Sequence, residues 1–88
     1  MKAYTGVIPD YASEVKGLLI NDVRPGGPAA KAGIKGGDII IQLGTKKINN
    51  IYDYTAALND IKVGKATKVV VQRKDKQVEL TITPEARK

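Results

Sequence analysis

The sequence predicts a mainly β domain with two helices, built as a partly open antiparallel β barrel of five to six strands. Three features carry that expectation. Short β-branched runs recur between turn residues, a compact turn–helix–turn connector spans residues 24–38, and one amphipathic helix follows. The first strand is expected over residues 3–8 and, after a short loop, the second over 17–23. In the connector, Pro28 suits the first position of a helix, Ala29 to Ala32 supply helix propensity with little bulk, and Gly33 is placed to accept a left-handed stop. Gly36, Gly37 and Asp38 then turn the chain into Ile39-Ile40-Ile41, a run that should be a buried strand over 38–43. Asp38 is expected to organise this turn through backbone amides rather than to act as a catalytic acid.

A short strand at 46–48 leads to a helix over 51–61. Asn49 or Asn50 can cap its first turn, and Lys62-Val63-Gly64 ends it. Ile51, Tyr54, Ala57, Leu58 and Ile61 share one face at spacings of three and four, so that face packs on the sheet. Strands over 68–73 and 77–83 close the domain as a hairpin, with Val69, Val71, Val78, Leu80 and Ile82 alternating with polar neighbours. Its turn, Arg73-Lys74-Asp75-Lys76, carries charges that discourage edge-to-edge aggregation. A single domain is expected over residues 1–83, with 84–88 as a frayed tail.

A chain of 88 residues supports one core, burying roughly 60–65% of the unfolded surface. It contains neither Cys nor His. The usual nucleophile–base pairs and zinc-ligand sets therefore cannot be assembled, and no catalytic residue, metal or cofactor is expected. No apolar run is long enough to span a membrane, and Met1 directly before Lys2 and the first strand points to a fragment excised from a longer chain. The net charge of +6 raises nucleic acid or anionic membrane as partners. Its pattern argues against both: Lys31, Lys35, Lys46, Lys47, Lys62, Lys65, Lys68, Arg73, Lys74 and Lys76 fall mostly at turns and strand ends, without an aromatic platform or a basic helix. Solvated loop charge is one reading, and a basic surface favouring peptides with acidic residues or a free carboxylate is the other.

The run from Arg24 through Pro28-Ala29-Ala30-Lys31-Ala32-Gly33-Ile34 to Gly37-Asp38-Ile39-Ile40 resembles the G-x-P-A-x-x-A-G-Φ-x-x-G-D-Φ-I signature of PDZ domains, specifically the bacterial subgroup of HtrA-type proteases and PDZ-bearing peptidases. The resemblance extends from Tyr4 to Thr83. It implies a non-catalytic module that captures C-termini or extended segments by β-strand addition, serving a protease in the same polypeptide. It also implies a carboxylate-binding loop at Tyr4, Thr5, Gly6 and Val7, where a glycine lets backbone amides converge on an anion. The peptide groove would involve Ile8, Ile20, Tyr54 and Leu58, with Val7 as a further wall and Thr5 or Ile20 at the floor. Tyr54 should sit at the boundary, because its hydroxyl needs water or a partner.

Two residues depart from the family pattern. Thr5 stands where Leu or Ile is usual, making that wall smaller and partly polar. Pro9 falls on the parity that should point an N–H toward an added strand, and proline has none to give. The short 9–16 loop, with Gly6-Val7-Ile8-Pro9-Asp10-Tyr11 and Ile51-Tyr52-Asp53-Tyr54, looks closer to the PDZ module of secreted zinc aminopeptidases than to the HtrA pattern. The parent is accordingly expected in the bacterial periplasm, cell envelope or outside the cell, and the isolated domain as a monomer. The competing function is a structural module docked on its parent's catalytic domain, with the groove unused or occupied internally.

Overall fold

The computed structural model describes residues 3–10 and 15–86. In chain order the elements are β1 (Ala3–Tyr4), β2 (Val7–Pro9), β3 (Leu18–Val23), α1 (Pro28–Ala32), β4 (Ile39–Leu43), β5 (Lys46–Lys47), α2 (Ile51–Asp60), β6 (Thr67–Arg73), β7 (Lys76–Ile82) and β8 (Glu85–Ala86). The main sheet is antiparallel, in the order β2-β3-β4-β6-β7, and β5 pairs with β4 off that path. This six-stranded sheet does not close, so β2 and β7 are its edges. The fold is therefore mainly β, with two helices and an open sheet. No helix among the described residues is long and apolar enough to cross a membrane.

The core is mostly aliphatic, since the sequence has no Phe or Trp and Tyr54 is the aromatic residue in it among the described residues. Leu18 and Ile20 from β3, Ile40 and Leu43 from β4, Val69 and Val71 from β6, Ile82 from β7, and Ile34 and Ile48 from the connecting segments pack with Tyr54 and Ala57 of α2. Alternation explains this selection within β6, where Val69 and Val71 turn inward and Val70 remains half-buried. A register shift between Ile40 and Gln42 lets β4 bury both Ile40 and Leu43. In α2 the expected face packs inward, and its start is fixed reciprocally. The Asn50 side chain accepts from the Asp53 N–H at 2.9 Å, and the Asp53 carboxylate accepts from the Asn49 N–H at 2.9 Å.

Several boundaries differ from the sequence reading. The strand expected over 3–8 is interrupted at Thr5 and Gly6, where Gly6 takes φ +77°, and its two parts join different sheets. The supposed tail is structured as far as Ala86: Pro84 is fully buried, β8 pairs with β1, and the Pro84 carbonyl accepts the Gly64 N–H at 2.8 Å. Proline, which cannot donate to a ladder, here works as an acceptor and a buried apolar surface. Met1, Lys2, Tyr11 and the last two residues of the tail lie outside the described residues.

Arg73 is not a solvated turn charge. Its Nε donates to Asp38 Oδ1 at 2.9 Å, and its Nη2 donates to Asp38 Oδ2 at 2.7 Å and to the Gly33 carbonyl at 2.9 Å. Asp38, 2% exposed, also accepts the Lys35 N–H at 2.9 Å, which is the turn-organising role expected of it. Burial by itself would raise the Asp38 pKa. The Arg73 hydrogen bonds, the Lys35 amide and the two nearby cations outweigh it and hold the carboxyl below its ordinary 3.8.

A carboxyl with a depressed folded-state pKa contributes stability above its unfolded pKa, and that contribution is lost as pH falls through the folded value. Asp38→Asn should therefore lower Tm at about pH 7 by about 4–8 °C or more. The difference from the parent protein should shrink as pH falls through the folded-state pKa of Asp38, which lies below the ordinary 3.8. Thermal unfolding of the two proteins across this range checks it, and an equal difference at both ends would remove the ion pair from the account.

Candidate functional site

The loop at Thr5 and Gly6 takes its orientation from α1. Gly27 caps this helix without a side-chain hydrogen bond, so the first-turn amides need other acceptors. The Ala29 N–H donates to the Thr5 carbonyl at 2.8 Å, and the Arg24 N–H donates to the Gly6 carbonyl at 2.8 Å. In a trans peptide the C=O and the following N–H point in opposite directions. With the Thr5 carbonyl held toward α1 and the Gly6 carbonyl toward the end of β3, the N–H groups of Gly6 and Val7 point to the opposite side, at the head of an edge strand. The left-handed backbone at Gly6 makes this reversal possible.

Along β2 the same logic decides which backbone groups remain free. The Gly6 carbonyl and the Asp10 N–H face β3, the latter donating to the Leu19 carbonyl at 2.9 Å, and Ile8 pairs with Asp22. Alternation then turns Val7 and Pro9 outward. Pro9 thus occupies the outward parity that the sequence reading gave it, and the outer edge of β2 has one N–H fewer than its length implies.

The side chains divide unequally. Val7 and Leu58 are half-buried and pack against the core, leaving surface for a ligand. Tyr4 is half-buried beside Gly6. Ile8 lies on the opposite face of β2 from Val7 and pairs with Asp22 of β3, so it forms no groove wall. Ile20 is 0% exposed and belongs to the core beneath. Tyr54 is also not at the boundary expected of it, being only 4% exposed. Its hydroxyl lies 2.6 Å from Thr5 Oγ1, and Thr5 is 5% exposed. The polar residue that departs from the family pattern therefore meets a polar partner 49 positions away, and together they tie the loop to α2. Nothing local in the sequence signals this pairing. The only hint is that a hydroxyl at Thr5 and another on the inward face of α2 both require partners if buried.

An open antiparallel sheet with an edge strand beside one helix, and a second short helix bracing the loop before that strand, defines a compact β module of the PDZ type. The chain belongs to the PDZ domain family, whose model matches residues 5–83. The serine endoprotease DegS of Escherichia coli (strain K12) is 37% identical over 70 residues, covering 80% of this chain and 20% of that protein. A probable periplasmic serine endoprotease DegP-like of Bartonella henselae is 38% identical over 69 residues, covering 78% of this chain and 14% of its own length. The chain thus spans a fifth or less of these relatives. Among solved structures, the HtrA-type protease AlgW with decapeptide superposes with a TM-score of 0.89 at 22% identity, covering 99% of this chain and 30% of that one. The HtrA3 PDZ domain bound to a phage-derived ligand (FGRWV) gives 0.79 at 18% identity, covering 96% and 86%.

The Thr5–Tyr54 pair has a measurable consequence. Tyr54→Phe or Thr5→Val removes this contact and should cost about 0.5–1.5 kcal/mol, whereas removing both is expected to cost less than the sum. Chemical denaturation of the two single variants and the double variant closes the cycle. Additive losses would mean that the two hydroxyls are not coupled.

Proposed function

We propose that this domain is a non-catalytic peptide-binding module that captures protein C-termini or extended segments by strand addition to β2. The peptide would lie between the outer edge of Val7 and Ile8 and the Leu58 side of α2, with its terminal carboxylate on the amides near Thr5, Gly6 and Val7. The observation that carries the reading is the fixed orientation of the Thr5 and Gly6 carbonyls toward α1 and β3, just ahead of an edge strand, which supports an anion-binding role for the following amides. The related HtrA3 PDZ domain with its FGRWV ligand and AlgW with its decapeptide support a peptide as the partner. Thr5 and Tyr54, buried and bonded to each other, lie beneath the loop in this arrangement.

The parent in this proposal is a bacterial protease of the HtrA type, working in the periplasm, cell envelope or outside the cell. The DegS and DegP-like relatives support that choice, and neither relative supports the zinc aminopeptidase suggested by the short loop. A specific observation favours the second reading, in which the domain docks on its parent's catalytic domain with the groove unused or filled. Pro9 removes a ladder donor from the edge strand, which weakens an incoming peptide strand. The isolated domain is proposed to be a monomer that binds no nucleic acid and does not insert into membranes.

NMR titration with a C-terminal peptide library tests the first reading. Saturable shifts should cluster on Gly6, Val7 and Leu58. Amidating the peptide should weaken binding more than about tenfold, since a charge-assisted bond contributes about 1.5–3 kcal/mol. Pro9→Val restores a donor and should strengthen longer peptides about three- to twelvefold, with less effect on short ones. No binding up to millimolar concentrations would favour docking.

A further inference from the structure

A second cleft lies between the C-terminal half of α2 and the turn joining β4 to β5, with a volume of about 490 Å³. Its floor is apolar: Leu43 and Ala57 are buried and Ile61 is half-buried. Its rim is basic. Lys46, Lys62, Lys65 and Lys68 line it against one carboxylate, Asp60. Lys68 is paired with Glu79 at 2.8 Å, whereas the other three lysines have no ion-pair partner among the described residues.

Hydrogen bonds brace the walls. Gln42 Nε2 donates to the Gly44 carbonyl at 2.9 Å, the Gly44 N–H donates to the Lys68 carbonyl at 2.7 Å, and the Lys65 N–H donates to the Lys62 carbonyl at 3.2 Å. The cleft shares neither Val7 nor Leu58 with the proposed peptide groove. The excess positive charge seen in the sequence is thus partly gathered around one shaped apolar floor rather than dispersed over loops.

We propose that this cleft is a separate interaction site for an acidic polypeptide segment, one that places an aliphatic side chain on the Leu43–Ala57 floor with flanking carboxylates among the lysines. Charge complementarity chooses this occupant. A segment with carboxylates on both sides of an apolar residue matches a basic rim around an apolar floor, and the flexible lysines can reach carboxylates on either side. A nucleic acid strand fits less well, because no aromatic side chain lines the cleft to stack a base.

The blocked peptide acetyl-EDLDE-amide is a suitable probe. Having no free C-terminus, it separates this site from a carboxylate-binding groove, so each can fail without the other. On titration into the labelled domain, the amides of Gly44, Thr45, Lys46, Ile61 and Ala66 should shift saturably. Affinity should fall at least about tenfold between about 20 and 300 mM NaCl, as expected for exposed charges. Combining Lys62→Glu with Lys65→Glu should weaken the peptide at least about tenfold while leaving Tm and binding of free C-terminal peptides unchanged. Equal binding of the uncharged control acetyl-QNLNQ-amide would overturn the proposal. So would shifts confined to Gly6 and Val7, absence of saturation at about 5 mM peptide, or a thymidine decamer that displaces the peptide and binds more tightly.

Discussion

The guanidinium of Arg73 ties three parts of the chain to one another at a single point. It grips both oxygens of Asp38 at the entry to β4 and the Gly33 carbonyl at the end of α1, while Arg73 itself ends β6. A planar fork with several donors in fixed directions can make these bonds simultaneously, which a lysine could not. The Asp38 backbone adds a further tie, because its carbonyl accepts the Ile20 N–H at 2.8 Å. The five-residue α1 is too short to stand alone, so its position depends on this junction and on the burial of Pro28, Ala29 and Ile34.

The loop before β2 inherits its geometry from that placement. Ala29 holds one carbonyl and Arg24 another, and the two peptide planes are thereby rotated without involving a charged side chain. This links the connector motif, the most conspicuous stretch of the sequence, to a loop some twenty positions earlier. The motif's small alanines let the helix approach the loop closely, and its uncapped first turn supplies the donor. The contact between Thr5 and Tyr54 braces the same loop from the other side. Rigidity of this kind would lower the ordering cost of binding, while the missing donor at Pro9 works in the opposite direction.

Charge has two fates in this structure. Arg73 and Asp38 form a structural pair at the junction, whereas Lys46, Lys62 and Lys65 surround a cleft without acidic partners among the described residues. Composition alone could not separate them, since each is a cation near a turn or strand end. The separation comes from the β4–β6 pairing, which places Ile39 opposite Gln72 and so brings Arg73 to the strand's beginning beside Asp38.

Whatever local chemistry controls was legible in the order of residues alone. Pro28, the alanines and Gly33 specify α1 over its observed length, Asn50 caps α2, and the alternation of Val69 and Val71 selects the inward face of β6. Gly6 and Pro9 were legible as special because their constraints lie in their own backbones. Packing set where long-range partners meet: the break at Thr5 and Gly6, the return of β8 to β1, the Thr5–Tyr54 contact, and the capture of Arg73 by Asp38 and Gly33. Each of these depends on residues that packing brings together from distant positions, and neither propensity nor spacing encodes which hydroxyl, carboxylate or carbonyl will be opposite.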